Sequence, residues 1–343
     1  MERGPMNRFL TLLVLTMVGL PAVATEYHVD HAASGPGDGL SWSTAWPTIA
    51  QATGHALQPG DRVLIAPGAY GEPLYIDTPG EPVVPVTAGV SVTGRHVYFP
   101  DGTDLSGIDL VQHPGEYFVY VYRSRLSNNG VFPVTGVYPA QSAVQIDARA
   151  FRDEQGEPGS LLALSATVGR PVVFQCAADD TTQRVVLDLS ASDAYTAAYI
   201  GDYIDEYDAY PVDFVLVDRV DITGTRLGGG WHIQSSSFNA VLNSRIHDTG
   251  TVSLDGAGGV LINGNEVRPA RYNVIMGNQI YNTPYEGIYV GAGDHPQENN
   301  HTHFNHLIGN RIDTRGDVPT ALLENAIDVK EYNTANVIER NVI

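Results

Sequence analysis

The chain has 343 residues, a formal net charge of −20 at pH 7 and 43% apolar residues. That charge excludes the basic surface nucleic acid or an anionic membrane would need, so neither is expected as a partner. A single cysteine, Cys176, excludes an internal disulfide, and stability has to come from a large core.

The first 24 residues read as an export signal. Arg3 and Arg8 give a basic start, residues 9–20 an apolar run, and Ala22-Val23-Ala24 a small-residue cleavage site before Thr25. The run falls short of the roughly 20 apolar residues that span a bilayer. A secreted or periplasmic protein, cleaved after Ala24, is the expectation.

Tyr27-His28-Val29-Asp30 then leads into a Gly/Ser-rich stretch. Ser43 or Thr44 is placed to cap a helix running over 44–57, with Trp46, Ile49 and Ala52 on one side. Pro59-Gly60-Asp61 turns the chain, Arg62-Val63-Leu64-Ile65-Ala66 is a strand, and Pro67-Gly68-Ala69-Tyr70 turns it again. Glycine (36) and tyrosine (18) are abundant and helix-period segments are scarce, so the class is all-β. Residues 75–215 are less regular. Strand-like runs such as Tyr117-Phe118-Val119-Tyr120-Val121-Tyr122 and Val185-Val186-Leu187-Asp188-Leu189 are separated by polar, Gly- or Pro-bearing turns, and their register is not assignable from sequence.

From Asp213 onward the chain repeats. Segments ending in Ile246, Ile280, Ile312 and Ile343 recur at intervals of 34, 32 and 31 residues, within the roughly 20–45 residues of a stacked solenoid unit. Ser244, Asn278, Asn310 and Asn341 form a polar column, and Val241, Ile275, Leu307 and Ile338 an apolar one. A second strand precedes each segment: Trp231-His232-Ile233-Gln234, Val260-Leu261-Ile262-Asn263, Ile288-Tyr289-Val290-Gly291 and Ile327-Asp328-Val329-Lys330. Side chains alternate along a strand and coils stack about 4.8 Å apart. Burying the apolar columns therefore turns His232, Leu261, Tyr289 and Asp328 outward, with Gln234, Asn263, Gly291 and Lys330 beside them.

The opening residues Asp38-Gly39-Leu40-Ser41-Trp42, Thr48-Ile49, Pro59-Gly60-Asp61 and Pro67-Gly68-Ala69-Tyr70 resemble the N-terminal region of secreted right-handed parallel β-helix proteins. With the repeat, they make the chain similar to the pectin-lyase-like superfamily: pectate and alginate lyases, polygalacturonases, alginate epimerases and phage tailspikes. The resemblance implies an all-β, right-handed parallel β-helix with a short N-terminal capping helix. A single domain is then expected over 25–343, with irregular early coils carrying insertions to about 215 and regular coils over 213–343. The sequence stops inside its fourth repeat, and a C-terminal truncation is the expectation there.

Chemistry is expected at Asn325-Ala326-Ile327-Asp328-Val329-Lys330-Glu331. Lys330 is the only lysine; every other basic residue is arginine. Lysine can serve as a base where arginine stays protonated. The lyase branch of the family implies Lys330 as the base that takes the proton alpha to a uronate carboxylate. Asp328, two residues away, opposes that role by favouring the ammonium. Tyr289 is placed to donate a proton to the leaving oxygen or to stack on a sugar, with His232, Gln234 and Asn263 binding substrate further down the face. Ca²⁺ is the expected cofactor, and Asp328, Glu286, Asp294 and Glu324 supply carboxylate oxygens. An acidic polysaccharide cleaved by β-elimination is the leading substrate. The other readings are a non-catalytic carbohydrate-binding module, and a glycoside hydrolase or uronate epimerase of the same fold. The Asp-Asp, His-Gly and Arg-x-Lys set of the polygalacturonases and the Asp-Pro-His pattern of the epimerases are absent.

Overall fold

The computed structural model describes residues 24–343 apart from 36, 148–150, 157–162, 179, 181, 202–210, 251–257, 266, 292–300 and 314–322, and apart from the side chains of 323 and 324. From Arg62–Ile65 onward, apart from the segment 81–170 and a short pair at Ala270–Arg271 and Thr302–His303, strands return to the same three sheets in rotation. The first sheet has eight parallel strands, from Glu26–Val29 through Ala240–Leu242 to Val337–Glu339; the second and third have six each. Parallel strands joined by crossovers wind right-handed in nearly all proteins, and the chain is a right-handed parallel β-helix.

The stacking follows the sequence repeat. Ile222, Ile246, Ile280 and Ile312 are paired in one column of the second sheet, and Val241, Ile275, Leu307 and Ile338 in one column of the first. In the third sheet Trp231 pairs with Val260, Val260 with Ile288, and Ile288 with Ile327. These columns fill one continuous interior, in which Trp231, Ile233, Val260, Ile262 and Ile288 are fully buried.

Corners are held by asparagine. Between the first and second sheets, Ser244 N–H donates to Asn278 Oδ1 at 2.9 Å, Asn278 N–H to Asn310 Oδ1 at 3.0 Å, and Asn310 N–H to Asn341 Oδ1 at 2.8 Å. The amide nitrogens donate to backbone carbonyls of the previous coil, Asn278 to Val241 O at 2.9 Å. A second ladder of Asn239, Asn273, Asn305 and Asn336 guards the other end of the same strands. Each ladder residue follows one with positive φ, such as Asn243 or Tyr272. The pair makes the tight bend and satisfies the amides that the bend exposes.

One expectation changes. The helix covers only Ile49–Thr53, capped by the Thr48 side chain on Gln51 N–H. Trp46 lies outside it because its backbone pairs with His28 and Asp30, and its ring stacks on Tyr27 at 5.1 Å. Ile49 and Ala52 are buried in the main core, and the helix packs on the strands of the first coil. Residues 81–170 stand between the first and second coils. They interrupt the β-helix between Leu74–Ile76 and Val172–Cys176 as an antiparallel eight-stranded sheet. In Phe118–Tyr122 alternation sends Val119 and Val121 into the insertion's own core, while Tyr120 and Tyr122 pack with Leu216, Ala240, Leu242 and Val274. The insertion thus covers the outer face of the first sheet. The third sheet keeps its outer face for the polar stripe.

Candidate functional site on the outer face of the third sheet

The outward column of the third sheet runs Tyr75, Tyr199, His232, Leu261, Tyr289, Asp328, residue paired to residue. Four of these follow from the sequence. Tyr75 and Tyr199 do not, because their strands, Leu74–Ile76 and Ala198–Ile200, are only three residues long. The available signal was the apolar-Tyr-apolar triplet that both share with Ile288-Tyr289-Val290. The Tyr75 and Tyr199 rings meet edge to face at 6.5 Å, and Tyr199 meets His232 at 4.8 Å.

The structure brings Lys330, Asp328 and Tyr289 together. Lys330 Nζ lies 2.6 Å from Asp328 Oδ2 and 5.1 Å from the centre of the Tyr289 ring. Lys330 and Asp328 flank Val329 on one strand, and Tyr289 pairs with Asp328 across the ladder. Gly291 has φ +130°, and a Cβ there would stand 2.8 Å from Lys330 Cβ, so the glycine leaves room for the lysine stem. The Asn333 amide donates to Lys330 O at 3.0 Å and to Val290 O at 3.3 Å, fixing the chain as it leaves the site. The Lys330 side chain is 39% exposed, so the ion pair contributes no more than about 1 kcal/mol to stability. What it contributes is a reachable cation held beside an aromatic face.

His232 and Asn263 also come together. With the Asn263 amide oriented to donate to Ile262 O at 3.1 Å and to Gly291 O, its oxygen accepts from His232 Nε2 at 3.1 Å. Burial pushes the His232 imidazole down to about 4, with Gln234 partly opposing the shift. It is therefore a neutral donor at ordinary pH. Gln234 departs from its expected place: its position belongs to the outward face, but the side chain is only 6% exposed, so it lies beneath the surface.

Asp294 and the side chain of Glu324 lie outside the described residues. Glu286 is on Tyr285–Val290, but it pairs with Asn325 and shares the alternation of the inward Ile288 and Val290. Alternation therefore does not direct it to the Asp328 face. Among the described residues no group of three or more His, Cys, Asp or Glu has a metal-binding arrangement. Of the histidines after Gly291, His295 lies outside the described residues; His303 Nε2 and His301 Nδ1 approach to 3.5 Å, and His303 Nδ1 accepts from Thr334 N–H at 3.0 Å. Of the acidic stretch 202–213 only Asp213 is described among its carboxylates, and it accepts from Ser237 N–H at 2.6 Å.

Three parallel sheets wound as one coil are the architecture of the pectin-lyase-like β-helices, the class the opening motif resembles. No family model matches the chain, and no curated protein matches it. Solved structures similar to it include pectate lyase Pel9A, at 16% identity and TM-score 0.42 over 90% of this chain and 50% of that one. A GH136 lacto-N-biosidase from Eubacterium ramulus aligns at 10% identity and TM-score 0.45, over 84% of this chain and 42% of that one. A rhamnogalacturonan lyase aligns at 14% identity and TM-score 0.42, over 92% of this chain and 62% of that one. The chain thus spans about half the length of these proteins.

Proposed function

We propose that this is an exported carbohydrate-active β-helix that takes an acidic, uronate-containing polysaccharide along the outer face of the third sheet and cleaves it by β-elimination. One observation carries the reading. Aromatic and polar side chains stand in register along the coil axis and end at the chain's only lysine, which is partly exposed and set against an aromatic ring. A rigid stripe of that shape suits a linear polymer, and rings with polar edges suit sugars.

In the reaction, the neutral amine of Lys330 takes the proton from the carbon alpha to the uronate carboxylate. That C–H bond breaks, a C=C bond forms, and the bond to the 4-linked oxygen breaks. Tyr289 donates a proton to the leaving oxygen. The ammonium bound to Asp328 has no lone pair, so Lys330 must first give up a proton. If Ca²⁺ binds, Asp328 with Asp294 and Glu324 would hold it, and it would supply positive charge for the developing enolate. A second reading, a glycan-binding module without chemistry, is favoured by that same ion pair, which engages the amine. Absorbance of unsaturated uronate after incubation with pectate, alginate and glycosaminoglycans, with and without Ca²⁺, separates the two. Appearance of the band supports the lyase; binding without it supports the module.

A further inference from the structure

The strongest unexplained feature outside the stripe is a buried acidic pocket at the start of the β-helix. Asp61 is 1% exposed and Glu116 5% exposed. Asp61 comes from the turn before Arg62–Ile65, and Glu116 from the antiparallel insertion. Asp61 Oδ1 accepts from Thr25 N–H at 2.6 Å, and its Oδ2 accepts from Gln58 N–H at 2.7 Å. Glu116 Oε1 accepts from Ala24 N–H at 3.3 Å. Gly60 is pressed between the two acids: a Cβ there would stand 2.5 Å from Glu116 Oε2 and 3.0 Å from Arg170.

Three acids, Asp61, Glu116 and Glu81, meet a single arginine here. Arg170 bonds Glu116 and Glu81, at 2.5 and 2.7 Å. His113 Nδ1 lies 3.1 Å from Glu116, and His55 and the Tyr27 hydroxyl, 3.0 Å apart, lie on the Asp61 side. Asp61 itself receives only neutral backbone amides among these contacts. Burial raises its carboxyl above the ordinary range, the Thr25 and Gln58 amides oppose this, Glu116 raises it further, and His55 nearby lowers it in part. A buried carboxylate beside another carboxylate needs a cation.

The amide that reaches Asp61 belongs to Thr25, the residue after the Ala22-Val23-Ala24 site. Thr25 is also where the ladder begins, since its carbonyl accepts from Arg62 N–H at 3.0 Å. We propose that Asp61, with Glu116 behind it, is the receiving site for the α-ammonium that cleavage after Ala24 creates. Hydrolysis of the Ala24–Thr25 peptide bond converts the neutral Thr25 amide into an ammonium, already at hydrogen-bond distance from a buried carboxylate. Processing would then complete the pocket's charge and lock the first strand to the insertion. The inference rests on residues 1–24 being a cleaved leader, and it is independent of the glycan reading.

The test uses the chain exported through its own leader. Intact mass reports the new terminus, and an N-terminus at Thr25 is expected; any other terminus overturns the proposal. Thermal midpoints are then compared for three forms: Thr25 with a free amine, Thr25 acetylated at its amine, and a form retaining Ala24. The free-amine form is expected to melt several degrees above both others. In Asp61→Asn that gap is expected to shrink by more than half, and Glu116→Gln serves the same comparison if the first variant does not fold. Equal midpoints for the free and acetylated forms, or a gap that survives in the variants, would overturn the pocket's role even if the terminus is Thr25.

Discussion

Lys330 Nζ lies 2.6 Å from Asp328 Oδ2 on its own strand, and 5.1 Å from the centre of the Tyr289 ring on the strand one coil earlier. The two charged groups are i and i+2, so alternation alone places them on one face. The neighbouring coil supplies the ring because Tyr289 pairs with Asp328. The arrangement is thus set by the β-helix register and needs no loop.

Substitutions at Lys330 separate base from anchor. Lys330→Arg keeps the charge but does not readily accept a proton, so a lyase should lose about 10²–10⁴-fold in turnover while polymer binding is nearly unchanged. An anchoring lysine would tolerate the same change within about tenfold, because arginine also pairs with carboxylates. Lys330→Ala should remove turnover in either case. Steady-state rates and a binding isotherm on the same polymer check both.

Tyr289→Ala should weaken polymer binding by about tenfold, or roughly 1.4 kcal/mol, without lowering the thermal midpoint by more than a few degrees. The side chain is half-buried on the outer face, so little core packing is lost. Calorimetric titration with oligosaccharides reads the affinity. Unchanged affinity would place the glycan elsewhere.

The Asn ladder is expected to bear much of the stability. Asn278→Ala leaves Ser244 N–H and Val241 O without their partners in the buried corner. Each orphaned group costs about 1–3 kcal/mol, so chemical denaturation should show a loss of roughly 2–6 kcal/mol. A loss below 1 kcal/mol would mean that the corner relaxes to rebuild these bonds.

Acid should weaken the fold through two buried histidines. Burial, with Arg123 adding to it, pushes His306 down to about 3, and burial takes His232 down to about 4. His306, on the first-sheet strand His306–Ile308, is fully buried beneath Tyr122, 5.2 Å from the Tyr122 ring, and neither ring nitrogen has a hydrogen-bond partner among the described residues. An unfolded histidine takes up its proton near pH 6.5. With folded pKa values below that, the unfolded state binds more protons as pH falls, and stability declines from about pH 6.5 towards 4. His306→Leu should flatten that decline while changing the neutral-pH midpoint little, as melting curves across the range would show. A variant as acid-sensitive as the parent would exclude His306 as a source.

Much of the architecture is legible in the sequence, and its gaps have physical reasons. The columns ending in Ile246, Ile280 and Ile312 can be read because every coil interior demands an apolar residue at the same turn. The Ser244–Asn341 column can be read because a bend leaves amides to satisfy. The strand pairing of the insertion over 81–170 cannot, because its strands pair antiparallel with partners such as Ser165 and Tyr122 and leave no fixed interval. That same insertion hides the early coils, and with them Tyr75 and Tyr199. Gln234 was legible in position but not in depth, since alternation gives the face and not the height of its neighbours.

The most direct test of the central claim is the release of unsaturated uronate by the protein and by its Lys330→Ala variant, each incubated with pectate and alginate in the presence of Ca²⁺. Rising absorbance is expected from the parent on at least one of these polymers, and none from the variant. Equal rates from parent and variant, or no product from the parent on any uronate polymer it binds, would contradict it.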